Sequence, residues 1–287
     1  MHTNQWLALE TSTDTLSLAV ARGTQTWTHT SAGGALTSTH MIPQTLALLK
    51  EAGLALTDLQ AVVFGRGPGA FTGLRTACSV AQGLAFGADL SVLPIDTLLA
   101  VAEEARAANA STGAAPVTRV LAVMDARMEQ VYVAAYEFTP HAVDVTGEAN
   151  QMQGTWRCVQ QPELHSPESL HWPADWSQDS FIAAGNAWPV YAGRWPAALT
   201  APQLMALPTA SALLRLAPAA WAAGQAVPPE EALPLYIRDK VAQTTDERML
   251  IKAQQTALAD EAARLAQAAQ ASEVVQTPHD VSLTIQP

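Results

Sequence analysis

Two acidic residues occupy matching places in the sequence, each at the end of an apolar run that predicts a β-strand. Glu10 ends the run that starts at Trp6, and Asp125 ends a similar run that starts at Arg119. Paired carboxylates at the ends of two equivalent strands can hold a metal ion, or its water shell, beside nucleotide phosphates. Such residues also cap turns and helices, so the pattern leaves a nucleotide site and a structural role open.

A glycine-rich segment, residues 65–73, separates an apolar run from a helical pattern. Glycine allows tight turns and close backbone approach, and the start of a helix offers free N–H groups to an anion. The spacing matches neither of the two common nucleotide-binding glycine motifs, and a tight turn without a ligand explains it equally well. The candidate nucleotide-binding residues are Glu10, Gly67, Gly69, Asp125 and Gly185, the last in a second glycine turn.

The sequence offers no other convincing catalytic constellation. No serine stands in a G-x-S-x-G motif, and the two cysteines, Cys78 and Cys158, form no C-x-x-C pair. Among the seven histidines, His165 and His171 lie close in sequence without a third ligand in view. We therefore predict neither a metal site nor a catalytic residue.

The charge balance argues against a protein that binds nucleic acid on its own. The 287 residues include 15 Lys and Arg against 26 Asp and Glu, a formal net charge of -11, without the basic cluster that phosphate contacts need. Because 49% of the residues are hydrophobic and only 14% are charged, apolar surface remains for a protein partner. The N-terminus lacks a signal-peptide pattern and no apolar run reaches membrane-spanning length, so we expect a soluble, cytoplasmic protein.

The hydrophobic periodicity predicts an α/β fold in which one arrangement occurs twice. The first half is predicted to contain strands over 6–9, 16–21, 25–30, 59–64 and 90–95 and helices over 38–52, 72–86 and 96–109. After a small-residue linker, strands over 119–126, 130–138 and 156–160 repeat the opening, followed by an irregular stretch over 161–179, a strand near 181–185 and a helix over 210–223. We expect subdomains over 1–110 and 111–245 and an Ala/Gln-rich tail over 246–287, helical to disordered.

The first two predicted helices carry patterns that could meet another helix. Small residues that recur every three or four positions let a second helix approach closely. They could face this protein's own sheet or first helix, or instead a partner chain. The candidate partner-interface residues are Met41, Thr45, Leu48, Gly73, Thr76, Val80 and Gly83.

Three motifs together resemble the TsaB (YeaZ) family: LALETST at residues 7–13, GRGPGAFTGLR at 65–75 and AVMDAR at 122–127. QGLA at 82–85 and LYIR at 235–238 are also similar to family stretches, so the resemblance runs from about residue 6 to 241 and leaves out the tail after Arg248. It implies an actin-like ATPase (ASKHA) fold with two RNase H-like subdomains, each a mixed sheet that opens with antiparallel strands and is flanked by helices. Family members commonly have Asp where this chain has Glu10.

The resemblance also implies a function in tRNA threonylcarbamoyladenosine biosynthesis. A TsaB-like chain would be a non-catalytic paralogue of TsaD, which transfers the threonylcarbamoyl group to N6 of adenosine 37 in tRNAs that read codons beginning with A. It would bind TsaD through its first two helices, TsaE would join them, and tRNA would be reached only through the complex. ATP or ADP with Mg²⁺ could bind at the complex interface, and free chains could form a homodimer.

TsaD relatives carry two metal-binding histidines after the strand that corresponds to residues 90–95. Here that stretch, residues 96–101, contains no histidine, so we do not expect metal-dependent transfer chemistry on this chain. The alternative that stays open is a nucleotide-dependent kinase or peptidase-like enzyme of the same fold, based on Glu10, Asp125 and the glycine turns.

Overall fold

The first sheet begins with a three-stranded antiparallel meander, as the alternating apolar pattern predicts. The computed structural model describes residues 4–34, 37–112, 115–141 and 154–238. The strands of this sheet are β1 (Gln5–Glu10), β2 (Thr15–Arg22), β3 (Gln25–Ala32), β4 (Ala61–Gly67) and β5 (Ser91–Asp96). Their order is β3-β2-β1-β4-β5, with β4 parallel to both β1 and β5.

The second sheet repeats this topology strand for strand. It contains β6 (Arg119–Arg127), β7 (Gln130–Pro140), β8 (Gly154–His165), β9 (Ile182–Gly185) and β10 (Gln203–Met205). The order is β8-β7-β6-β9-β10, with β6, β7 and β8 antiparallel and β9 parallel to both β6 and β10. Strand β1 of the first sheet therefore corresponds to β6 of the second, and Glu10 corresponds in position to Asp125. The predicted duplication is confirmed at the level of sheet topology.

Among the described residues, four α-helices flank the sheets: α1 (Thr37–Ala52), α2 (Phe71–Ala88), α3 (Thr97–Ser111) and α4 (Ala210–Ala222). Helices α1 and α2 bury one side against the first sheet, in a core that contains Leu7, Leu9 and Phe64. The two mixed five-stranded sheets with flanking helices confirm the predicted α/β class.

Helices α3 and α4 connect the two halves. Helix α3 packs against β6, whereas α4, which follows the second sheet in sequence, packs on the other face of the first sheet. Between these helices, Glu103 accepts hydrogen bonds from Arg106, Trp156 and Arg215. Burial opposes its ionisation, but the Arg106 and Trp156 hydrogen bonds and the two guanidinium charges hold the pKa of Glu103 below its ordinary value. A boundary near residue 111 thus divides the strands into the two sheets. The helices do not follow this division, because α3 precedes it but packs on the second sheet, and α4 follows it but packs on the first.

The structure differs from the sequence expectation in three strands. Strand β4 covers Ala61–Gly67 instead of 59–64, so it includes the first part of the glycine segment. Strand β8 continues to His165, past the predicted end at Gln160, and the three-residue β10 was not expected. The 246–287 tail lies outside the described residues, so its predicted character stays a prediction. Within the described part of the chain, no helix combines the length and apolarity needed to cross a bilayer.

Candidate functional site

The turn after β1 and the glycine-rich segment before α2 pack directly against each other. A Cβ on Gly69 would lie 2.5 Å from Cβ of Ser12, and one on Gly73 would lie 1.9 Å from the carbonyl oxygen of Thr11. The Thr11 hydroxyl donates to the carbonyl of Gly73 at 2.7 Å, and Ala70 N–H donates to the carbonyl of Ser12 at 2.7 Å. Glycine is needed here because this chain's own backbone occupies the space of a side chain.

The carboxylate of Glu10 is buried at the base of this contact. Its side chain folds back so that Oε1 accepts the N–H of Ser12 at 2.6 Å, while Oε2 has no hydrogen-bond partner. A Cβ on Gly65 would lie 1.8 Å from Oε2, so this glycine makes room for the acid. Burial raises the pKa of Glu10, although hydrogen bonds from Ser12 and Thr11 oppose the shift.

The middle of the glycine segment is held by two other parts of the chain. Gly67 has a positive φ of 117°, a backbone conformation that favours glycine. Its N–H donates a hydrogen bond to Oγ1 of Thr97 at 3.1 Å. A Cβ here would lie 2.6 Å from the carbonyl oxygen of Leu235. Beside it, Arg66 pairs with Asp96 at 2.5 Å. The Gly67 N–H that an anion could have used is therefore committed to Thr97.

Both carboxylate oxygens of Asp125, near the equivalent end of β6, contact other groups of the chain. Oδ1 accepts the N–H of Arg127 at 2.8 Å and the hydroxyl of Tyr191 at 2.8 Å, and Oδ2 lies 3.4 Å from the Arg127 guanidinium. Burial and the Asp125 contact together raise the pKa of Tyr191 to about 12. In the neighbouring glycine turn, Gly185 has a φ of 151° and a Cβ there would lie 1.8 Å from the carbonyl oxygen of Val123.

The two equivalent turns touch each other. Arg127, in the turn after β6, donates to Oδ2 of Asp14, in the turn after β1, at 2.6 Å. Arg238 approaches the same turn and donates to the carbonyl oxygens of Ala126 and Arg127 at 3.0 and 3.1 Å. The structure thus brings the ends of β1 and β6 to one region, as their matching positions predict.

Residues 232–238 join this region to α2 without forming a helix or a strand. The carbonyl of Ala232 accepts hydrogen bonds from Cys78 and Gln82, and Leu235 N–H donates to the carbonyl of Arg66 at 2.7 Å. The Tyr236 hydroxyl accepts from Arg75 at 2.9 Å. The sequence shows an apolar run here, but no periodicity that would have indicated its neighbours.

These contacts do not fit a nucleotide–magnesium site on this chain. A magnesium ion needs carboxylate or carbonyl oxygens that can face it, together with the phosphates. Oε2 of Glu10 is enclosed against Gly65, and the Asp125 oxygens already face Arg127 and Tyr191. Each of the candidate glycines, Gly67, Gly69 and Gly185, has the space of its missing side chain filled by the protein itself.

Part of the predicted partner interface lies in the core. Met41, Thr45 and Leu48 are buried against the first sheet, so their assignment to a partner surface is wrong. The physical reason is that this stripe of α1, continued by Ala52, packs onto the first sheet, while Ile42 and Leu46 stay exposed. Gly73 likewise meets Thr11 of its own chain.

The other predicted interface residues, Thr76, Val80 and Gly83, lie on the surface of α2, and exposed residues of α1 lie near the start of this surface. Thr76 and Val80 are half-buried and line an open groove with Thr72 and Ser38, while a Cβ on Gly83 would meet open space. Ile42 and Leu46 follow Ser38 at four-residue spacing along α1 and are 44% and 52% exposed. On α2, Phe86 is 80% exposed. We call this surface the α1–α2 strip: Ser38, Ile42, Leu46, Thr72, Thr76, Val80, Gly83 and Phe86.

Comparisons with known proteins agree with this architecture. A family model described as TsaD, tRNA N6-adenosine threonylcarbamoyltransferase, matches residues 24–274. The chain is 30% identical over 238 residues to the tRNA threonylcarbamoyladenosine biosynthesis protein TsaB of Escherichia coli (strain K12), covering 82% of this chain and 95% of that protein. It is 34% identical over 236 residues to the TsaB of Haemophilus influenzae (strain ATCC 51907 / DSM 11121 / KW20 / Rd), covering 82% and 94%. A solved structure, YeaZ from Pseudomonas aeruginosa, is 36% identical with a TM-score of 0.67, covering 81% of this chain and 99% of that one.

The repeated sheets and the family-model match define an α/β protein of the actin-like ATPase (ASKHA) class that is related to TsaD. Within that class, the chain belongs to the TsaB (YeaZ) family. The resemblance found in the motifs is confirmed. The TsaD family-model match reaches residue 274, whereas each of the two TsaB relatives aligns with 82% of the chain.

Proposed function

We propose that this chain serves tRNA threonylcarbamoyladenosine biosynthesis as a non-catalytic subunit that binds and activates TsaD. The curated relatives are named for this pathway, which supports the broader role. TsaE joins the pair, and tRNA contacts the chain only through the complex, in keeping with a net charge of -11. We also propose a cytoplasmic location.

The single observation that carries the binding role is the exposed apolar surface of the α1–α2 strip. Ile42, Leu46 and Phe86 each expose a large apolar side chain on the two helices. Gly83, one turn before Phe86 on α2, leaves open space that lets a partner helix approach closely. Exposed large apolar side chains on two neighbouring helices are typical of protein interaction sites. A second copy of the chain could cover the strip when TsaD is absent, which gives the homodimer.

The non-catalytic role is supported by how the strand-end acids are used. The carboxylates of Glu10 and Asp125 form hydrogen bonds within the chain itself. The proposed role therefore does not require either acid to bind a nucleotide or a magnesium ion. At the start of α3, Thr97, Leu98 and Val101 are buried and offer no histidine for the metal-dependent transfer.

Replacing Gly83 with arginine tests the proposed interface. A Cβ added at Gly83 meets no atom of this protein within 4 Å, so the fold should survive while a long charged group blocks close approach. We expect Gly83→Arg to lose co-purification with TsaD. The matched control is Val190→Arg, an exposed apolar residue outside the helices, which should keep it. Retention of TsaD by a folded Gly83→Arg variant would refute the interface.

A further inference from the structure

We propose that Glu163, His165 and His171 form a binding site for a divalent transition-metal ion, with zinc the best match. One potential ligand atom from each residue lies within 4.8 Å of the other two. The sequence alone places two histidines close together without a third ligand. The structure supplies it, because β8 continues to His165 and places Glu163 next to that histidine.

The atoms are spaced as a metal centre would need. Oε2 of Glu163 lies 2.9 Å from Nε2 of His165 and 3.8 Å from Nε2 of His171. Zinc ligands stand ~2.0–2.2 Å from the ion, so two ligands at a tetrahedral angle are roughly 3.3 Å apart. The two observed distances lie on either side of that value, and small side-chain rotations bring all three atoms to one ion.

The ligands are carried by well-anchored parts of the chain. Glu163 and His165 are two residues apart on β8 and therefore point to the same face, with register partners Val133 and Val131 on β7. A short 3-10 turn, Pro167–Ser169, then reverses the chain and returns His171 to them. Pro167 at the start of this turn and Leu170 just after its end are buried, which fixes the position of the turn.

The orientation of His171 favours coordination through the correct nitrogen. Nδ1 lies 3.3 Å from the carbonyl oxygen of Ser169, so the Nδ1–H donates there and the Nε2 lone pair remains for a metal. Metal-bound histidines commonly hold their second nitrogen in this way. Without metal, the Nε2–H of His165 donates to Glu163, and coordination through Nε2 requires the neutral ring to carry that proton on Nδ1 instead.

The ligand chemistry selects the kind of ion. Two imidazoles and one carboxylate suit zinc and neighbouring transition metals, whereas magnesium and calcium prefer oxygen ligands throughout. Three protein ligands leave at least one coordination position for water or another donor, as in open zinc sites. The site lies on the second sheet, and it is independent of the α1–α2 strip and of the proposed binding role.

The test is a zinc titration of the untagged full chain after metal removal, in competition with a chromogenic zinc chelator. We expect one zinc per chain with micromolar or tighter affinity. His171→Ala should weaken binding at least about 10-fold, the smallest effect typical of losing even an outer-shell partner. His171 is exposed, so this variant should fold, and equal melting temperatures without metal would verify it.

Two controls separate this site from other histidines. His141→Ala and His279→Ala, in the full chain, should bind zinc as tightly as the unchanged protein. Zinc should raise the melting temperature of the unchanged chain but not of His171→Ala, because an ion that binds only the folded state stabilises it. The proposal is overturned if the unchanged chain fails to compete with the chelator, or if folded His171→Ala binds zinc equally well.

Discussion

Glu10 and Asp125 end equivalent strands of two sheets with the same topology, yet their carboxylates have opposite surroundings. Glu10 is enclosed, keeps one oxygen without a partner, and has a raised pKa. Asp125 receives hydrogen bonds from Arg127 and Tyr191 and faces a guanidinium group. The duplicated backbone has therefore kept its layout while both acids serve internal packing and hydrogen bonding. Positional equivalence predicts where an acid lies, but the neighbours decide what it can do.

The two glycines beside these acids should give the largest effects on stability. Gly185→Ala pushes a Cβ onto the carbonyl of Val123 at a left-handed φ, and we expect a loss of about 3 kcal/mol in the free energy of unfolding. Gly65→Ala pushes onto the Glu10 side chain instead and should cost about 1–3 kcal/mol.

The two glycine substitutions can be compared directly, because the added Cβ meets a side chain at Gly65 and a backbone carbonyl at Gly185. Adding Glu10→Ala should restore most of the stability lost by Gly65→Ala, because the obstacle is a side chain. Adding Val123→Ala should not rescue Gly185→Ala, because that obstacle is backbone. Urea unfolding of the four single and two double variants measures this, and rescue at both positions would contradict the described packing.

Asp125→Ala should have the next largest effect. It removes the acceptor of the Arg127 N–H and one of the two acceptors of the Tyr191 hydroxyl, which keeps the Gln130 carbonyl at 3.2 Å, and we expect a loss of about 1–3 kcal/mol. Asp125→Asn keeps one oxygen in place and should lose clearly less in the same unfolding experiment. Equal losses for the two variants would mean that the negative charge, rather than the hydrogen bonds, matters.

Glu10→Gln should change the pH dependence of stability. Because burial raises the folded-state pKa of Glu10 above its ordinary 4.5, its contribution is fully present below the unfolded-state pKa and is lost as pH rises through the folded-state pKa. Glutamine cannot ionise, so the variant should gain on the unchanged chain as pH rises through that interval. Thermal melts from pH 4 to 8 measure the difference, and parallel curves would show that the acid does not titrate differently on folding.

Asp14→Ala should give the smallest effect. The pair with Arg127 joins the two turns, but both side chains are exposed, and such pairs contribute about 0–1 kcal/mol. A double-mutant cycle with Arg127→Ala at low salt should find a small coupling that declines in high salt. A large, salt-insensitive coupling would show that the two turns depend on each other more strongly than this geometry allows.

Short-range patterns in the sequence predicted much of the fold. Alternating apolar residues identified β1, β2 and β3, and the glycine segment identified the junction between β4 and α2. Both are local signals, set by side-chain period and by backbone space. The matching ends of β1 and β6 were also predictable, because the same order of elements occurs twice.

Features that depend on distant neighbours could not be predicted. Met41, Thr45 and Leu48 form a helical stripe that suits a core and a partner equally well, and only packing on the first sheet decides between them. Glu163 is a possible ligand only because β8 continues to His165, which places both side chains on the same face of the strand. The contacts of residues 232–238 with α2 join positions 150 to 161 apart in sequence.

The most direct test of the proposed role is reconstitution of threonylcarbamoylation at adenosine 37 with purified TsaD and TsaE, with and without this chain. We expect modification to require the chain, and to fail equally when Gly83→Arg replaces it. Asp125→Asn, which leaves the α1–α2 strip unchanged, should support modification. Full modification without the chain, or with Gly83→Arg in its place, would contradict the account.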